Sequence, residues 1–305
     1  MIQVIKYRKI WYAISGVLFL GSILVWISMG MKFGLDFTGG SMMEVKYQNV
    51  TIPTQEAITN KLSDLDISLS VAMTDANGAI LRFKHVPDET HQTIISRLQD
   101  QVKDTKGAVV DELRYESIGP SIGTELKTKS IWATVLVLIV IMLFVAFAFR
   151  KVSYPIVSWK YGGAVLASLV HDVFITVGLF ILLGHYFGIE INTPFIAALL
   201  TVLGYSVNDS IVVLDRVREN LHREEGSFEE IVEKSVQQTF ARSINTSVTI
   251  LLALTAILFF GGTTIRDFVL TLIFGIIIGT YSSIFIAAPV LVSWHKWDLK
   301  LKKHN

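Results

Sequence analysis

Gly204-Tyr205-Ser206-Val207-Asn208-Asp209-Ser210, followed by Asp215-Arg216-Val217-Arg218-Glu219-Asn220, closes a run from Thr193 to Leu214 that is apolar and long enough to span a bilayer. Asp209 falls about one and a half helical turns inside the charged end of that run. An aspartate at the centre of a membrane helix costs roughly 2.5 to 3.5 kcal/mol, so a carboxylate kept there marks proton or ion handling. Thr201, Tyr205, Asn208 and Asp209 recur at three- and four-residue spacings, which predicts one polar stripe facing protein or water. The alternative for this stripe is a hydrogen-bond network that fixes helix register.

Composition agrees with a membrane protein. The 305 residues are 51% hydrophobic with mean hydropathy +0.52, while 17% charged residues leave room for one water-exposed portion. A net charge of +1 gives no electrostatic footprint for nucleic acid, and zero cysteines exclude disulfides, thiolate metal sites and cysteine nucleophiles. Six apolar runs are long enough to cross: Ile10 to Met29, Ile131 to Phe149, Tyr161 to Leu183, Thr193 to Leu214, Ile244 to Phe260 and Phe268 to Trp294. The first follows Lys6, Arg8 and Lys9 without a small-residue cleavage site, and reads as a retained helix. Lys and Arg sort by side, with Arg150, Lys151, Lys160, Arg216, Arg218, Arg223, Lys296, Lys300, Lys302 and Lys303 on the side of the termini; Arg266 alone occupies the short opposite loops. Both termini are therefore expected in the cytoplasm.

This division places residues 31–129 outside, residues 1–30 as the cytoplasmic N-terminus and first helix, residues 130–295 as helices two to six, and 296–305 as a basic tail. In the external segment Met43, Val45 and Tyr47 alternate as a strand; Ile58, Leu62 and Leu65 follow Pro53 at helical spacing. Leu69, Val71 and Met73 lead through the turn Asp75-Ala76-Asn77-Gly78 into Leu81 and Phe83. Ile94, Ile95, Leu98 and Val102 stripe a second helix before a last strand from Val109 to Glu116, giving a βαββαβ, ferredoxin-like α+β domain. On the cytoplasmic side Ser227 and Glu230 form a capping box before Phe228, Ile231, Val232, Val236 and Phe240, which predicts a short amphipathic helix over 227–240 at the membrane surface or against the bundle. Gly275 and Gly279, with Ser282 and Ser283 nearby, read as a close-packing face.

Helix three carries His171 and Asp172 about eleven residues past Lys160, near mid-bilayer. Adjacent residues point roughly 100° apart, so at most one is expected on a site face; the histidine suits a proton relay, and either residue could instead bond a neighbouring helix. Arg242, Thr246 and Thr249 open helix five, where Arg242 either partners the acid or snorkels to the cytoplasmic surface.

Four motifs together carry a family resemblance: Gly34-Leu35-Asp36-Phe37-Thr38-Gly39-Gly40-Ser41, Ser117-Ile118-Gly119-Pro120, His171-Asp172-Val173, and Tyr205 to Asn220. In this order around six spans, they resemble the SecF family, subunits of the bacterial SecDF protein-export complex. The resemblance implies an RND-superfamily half, six membrane helices with an external domain between the first two, completed by SecD in the bacterial inner membrane. It implies use of the proton motive force to help preproteins emerge from SecYEG, and admits YajC as a further partner beside the surrounding lipids. It assigns the proton path to Asp209, Arg242 and Thr246; Tyr205, Asn208, His171 and Asp172 join as polar intramembrane neighbours. Gly34, Asp36, Gly39, Gly40 and Gly119 are expected as flexing points or tight docking turns of the external domain. The alternative is an RND-type half exporting a lipid or small molecule by proton antiport. No hydrolase elbow, zincin pair or nucleotide loop is present, so neither an enzyme nor a cofactor is expected.

Overall fold

A computed structural model describes residues 3–65, 67–74, 77–150, 155–262 and 265–304. The chain divides into two compact units, Phe33–Ser130, and Met1–Lys32 with Ile131–Asn305. In chain order the elements are α1 (Arg8–Met29), α2 (Leu35–Thr38), β1 (Gly40–Gln48), α3 (Gln55–Leu62), β2 (Ser70–Thr74), β3 (Gly78–Phe83), α4 (Asp88–Val102), β4 (Val109–Ile118), α5 (Pro120–Ala148), α6 (Ser158–Phe187), α7 (Thr193–Arg223), α8 (Phe228–Phe260), α9 (Arg266–Ser282), a π-helical turn (Ser283–Ala287) and α10 (Ala288–His304). Lys151 of the basic clusters, and Asp75 and Ala76 of the expected turn, lie outside the described residues.

The smaller unit is a four-stranded antiparallel sheet in the order β2-β3-β1-β4. Strand alternation puts Met43, Val45 and Tyr47 of β1 beside Leu81, Phe83 and Val110, and α3 and α4 cover them with Ile58, Leu62, Ile94 and Leu98. Each such side chain contributes roughly 1.5 to 3 kcal/mol on burial, enough in sum to give this unit its own core. Thr54 caps α3 by accepting from Ala57 N–H. Asn77, at φ 58°, ties its own turn to the end of β1 and the stretch after it: its amide donates to the carbonyls of Tyr47 and Val50, and its carbonyl accepts from Ile52 N–H. Burial pushes the Tyr47 phenol up to about 12.

Among the described residues six helices are long and apolar enough to cross a membrane: α1, α5, α6, α7, α8, and the α9 to α10 stretch Arg266–Lys302. Burial sorts them, since 56% of the apolar window in α6 and 61% of that in Arg266–Lys302 is covered against 6% in α1 and α5. The former two are therefore the bundle's centre. Helix starts and stops follow local chemistry: Asn192 caps α7 by accepting from Phe195 N–H, and Gly188 closes α6 in the left-handed conformation at φ 71°.

Two expectations change. The stretch 227–240 is not a separate surface helix, because nothing between Phe240 and Ile244 breaks the backbone and α8 runs unbroken from Phe228. Its Ser227–Glu230 capping box forms, and Phe228, Val232 and Val236 join the bundle's core. The second span likewise begins earlier, at Pro120, since residues 120–130 contain good helix formers after a proline placed at a helix start.

The Gly275/Gly279 face does pack closely. A Cβ at Gly275 would strike the Val202 side chain, and one at Gly279 would lie 3.0 Å from Ser206 Cβ. Without a hydrophobic drive between helices in lipid, such close backbone approach is what holds α7 to α9. Gly275→Val is expected to lower stability by about 1 to 3 kcal/mol through overpacking, read as an earlier thermal unfolding transition in detergent. An unchanged transition would mean the α7–α9 contact contributes nothing.

Candidate functional site

α6, α7, α8 and the junction of α9 with the π turn bring polar side chains together around Asp172 and Asp209; a carboxylate inside a membrane helix is costly unless it is partnered. Asp209 of α7 is 7% exposed and accepts from two hydroxyls: Ser243 Oγ of α8 at 2.6 Å on Oδ1, and Ser283 Oγ of the π turn on Oδ2. Asp172 of α6 is fully buried; its Oδ2 accepts from Ser206 Oγ of α7 and Ser282 Oγ of α9, both at 2.7 Å. His171 Nδ1 lies 3.0 Å from Asp172 Oδ1. The two side chains thus meet each other while facing different elements. His171 stacks with Tyr281 at 6.2 Å and lines a groove of about 530 Å³ with Tyr12 and Ser15 of α1.

A third string runs beside the aspartates. Tyr205 hydroxyl is 2.7 Å from Ser247 Oγ, which is 2.6 Å from Thr280 Oγ1. On α8, Ser243 and Ser247 repeat every four residues toward the bundle, and each residue turns the helix by about 100°. Arg242 and Thr246 therefore sit on the neighbouring, exposed face, where Thr246 hydroxyl donates to the Arg242 carbonyl at 2.9 Å. Among the described residues Asp209 is held by serines, not by Arg242. The stripe on α7 splits likewise: Asp209 turns inward, Tyr205 is half-buried, and Thr201 and Asn208 are exposed.

Within the smaller unit, the glycine-rich lead-in is tightly folded. Gly39 and Gly40 have φ of 70° and 125°; a Cβ on Gly39 would meet Pro120 Cα at 2.8 Å and one on Gly40 would meet the Phe83 carbonyl at 2.9 Å. Both positions require glycine. Gly39 N–H closes the α2 turn on the Leu35 carbonyl at 2.9 Å, and Gly34 and Asp36 belong to that turn or its cap. Gly119 precedes α5, with open space around its Cβ position.

Residues 97–297 match the family described as protein export membrane protein SecD/SecF, C-terminal, and residues 25–49 match the SecD/SecF GG motif. The chain belongs to the SecD/SecF family. Protein translocase subunit SecF of Thermobaculum terrenum is 38% identical over 308 residues, 98% of this chain and 95% of that protein. Protein translocase subunit SecDF of Thermus thermophilus is 33% identical over 93% of this chain but 37% of its own length. The crystal structure of SecDF from that organism superposes with a TM-score of 0.77 at 32% identity, covering 96% of this chain and 38% of the SecDF chain. This member of the SecD/SecF family thus spans well under half of a SecDF polypeptide. The GG motif is the segment whose Gly39 and Gly40 have no room for a side chain. Sequence reasoning missed Ser206, Ser243, Ser282 and Ser283 as aspartate partners and Ser247 as a partner of Tyr205; for the α8 pair, Ser243 and Ser247, the four-residue repeat is the available signal.

Proposed function

We propose that this chain is the SecF half of a protein translocase that works with SecD and uses the proton motive force in the late steps of preprotein export. The carrying observation is Asp209, buried mid-helix and, among the described residues, held by the hydroxyls of Ser243 and Ser283. Hydroxyls stabilise the ionised carboxylate as donors and still serve the neutral acid as acceptors, so the proton can come and go without leaving a buried group unpartnered. A proton moving through 100 mV releases about 2.3 kcal/mol, roughly a 50-fold shift of a two-state equilibrium.

A partner half is called for by the outer faces of α7 and α8. Thr201, Gly204 and Asn208, with Arg242, Asn245 and Thr246, form an exposed polar and small surface along two membrane helices, which lipid does not satisfy. We place SecD there, where Arg242, Thr246 and Asn208 complete the proton path begun at Asp209, Tyr205, Asp172 and His171. The Thermus thermophilus SecDF chain extends well beyond the part this chain covers, in keeping with a partner half. The assembly sits in the bacterial inner membrane beside SecYEG, with YajC as an accessory and both termini cytoplasmic, in keeping with the Lys and Arg distribution. We read the external unit's strand order as ferredoxin-like, and Gly34, Asp36, Gly39, Gly40 and Gly119 as the pivot about which it moves.

Inverted vesicles depleted of this chain test the reading. Adding it back with SecD is expected to restore the increment of preprotein translocation that an imposed proton gradient gives. Restoration that is equal with and without the gradient would refute proton coupling.

A further inference from the structure

Ser282 and Ser283 are consecutive, yet they serve two carboxylates on two different helices. Ser282 Oγ reaches Asp172 Oδ2 on α6 at 2.7 Å, and Ser283 Oγ reaches Asp209 Oδ2 on α7. Each hydroxyl carries one proton, and each has a second acceptor within reach: the Gly279 carbonyl lies 3.1 Å from Ser282 Oγ and the Thr280 carbonyl 3.0 Å from Ser283 Oγ. Each serine therefore has two positions, donating to a carboxylate or to its own backbone. The pair stands where α9 gives way to the π turn, and Ser283 N–H itself bonds the Gly279 carbonyl. A π turn holds one residue more than the regular helix and resets by a one-residue slide, which would swing a side chain by about 100°.

We propose that Ser282 and Ser283 are positioning residues that couple Asp172 to Asp209 through the π turn, so that the protonation state of one acid sets the hydroxyl donors available to the other. This rests on the proton-path reading above and deepens it. When Asp209 is ionised, the charged acceptor holds Ser283 and so anchors the turn against α7. When Asp209 takes a proton it becomes a donor to Ser283 Oγ, whose own proton turns to the Thr280 carbonyl. The charge-assisted anchor is then weakened to a neutral hydrogen bond, which lets the turn and Ser282 shift and leaves Asp172 with Ser206 and His171. The titratable groups facing this pair are His171 on α6, Tyr281 on α9, and Tyr205 on α7 through Ser247. From α8 come Ser243 and Ser247, with Arg242 on its exposed face, and from α1 come Tyr12 and Ser15.

Infrared spectroscopy of the full-length chain in lipid nanodiscs tests the coupling. The protonated-carboxyl band of Asp172, identified by its loss in Asp172→Asn, is expected to shift when Asp209→Asn is introduced. In Ser282→Ala or Ser283→Ala backgrounds the same Asp209→Asn change is expected to leave the band where it was, while Ser283→Thr keeps the response. Ser206→Ala serves as control: it removes a donor to Asp172 outside the π turn, so the band itself should move yet still respond to Asp209→Asn. A response that persists without the serine hydroxyls, or no response in any background, overturns the proposal. Loss of the band response would leave the proton-path reading standing, whereas gradient-driven export by Asp209→Asn would refute that reading and leave the band result untouched.

Discussion

Asp209→Asn is expected to remove the whole gradient-dependent increment of preprotein translocation while the protein inserts and binds SecD as before. The amide keeps the size of the carboxylate and keeps one acceptor and one donor for Ser243 and Ser283, so the α7–α8–π turn contact survives at a stability cost of about 1 kcal/mol. What the amide lacks is a proton to exchange. Vesicle translocation with and without an imposed gradient reads the effect. A variant that keeps the increment would reduce Asp209 to a polar packing residue, as would a variant that fails to accumulate while a charge-neutral Asp209→Ser accumulates normally and still responds to the gradient.

Replacing Glu44 to Glu116 with a short flexible linker is expected to have the second largest effect: a membrane unit that still assembles, with gradient-dependent export lost. The smaller unit has its own core, so removing it withdraws no side chain from the core clusters of the membrane helices. Its flanks are already side by side, since β1 and β4 pair Met42 with Glu116 and Ser41 with Ser117, and paired strands lie about 5 Å apart. A linker of a few residues therefore spans the gap without strain on Gly39 or Gly40. Normal export of a slow preprotein by this variant would remove the external unit from the working cycle, and the pivot at the glycine-rich turn with it.

The spans and the strands were legible because their signals are periodic and local. Met43, Val45 and Tyr47 alternate on β1, and Gly275 and Gly279 mark a close-packing face, though not that α7 is the helix packed on it. Continuity of α8 was harder to read. The switch from a charged amphipathic segment to an apolar one resembles two helices in sequence, whereas the backbone sees only residues that all tolerate a helix. The aspartate network was legible on one side only. Asp209 and Asp172 stand out because carboxylates are costly in a membrane, but a serine costs little and recurs throughout such helices. Arg242/Thr246 and Ser243/Ser247 are two polar pairs at the same spacing on adjacent faces of α8, and only packing against α7 decides which turns inward. The π turn has one sequence mark, Pro289, which offers no N–H to the Phe285 carbonyl four residues back, but a proline alone does not tell a kink from a π turn.

Proton flux is the quantity on which the whole reading turns. Inverted vesicles reconstituted with SecYEG, SecD and this chain, loaded with a pH-sensitive dye and given an acidic lumen, are expected to lose lumenal acidity during preprotein transport, and vesicles carrying Asp209→Asn are expected to stay at their starting pH. Equal loss of acidity by the two would contradict the assignment of the proton path to the hydroxyl-bound carboxylate of α7.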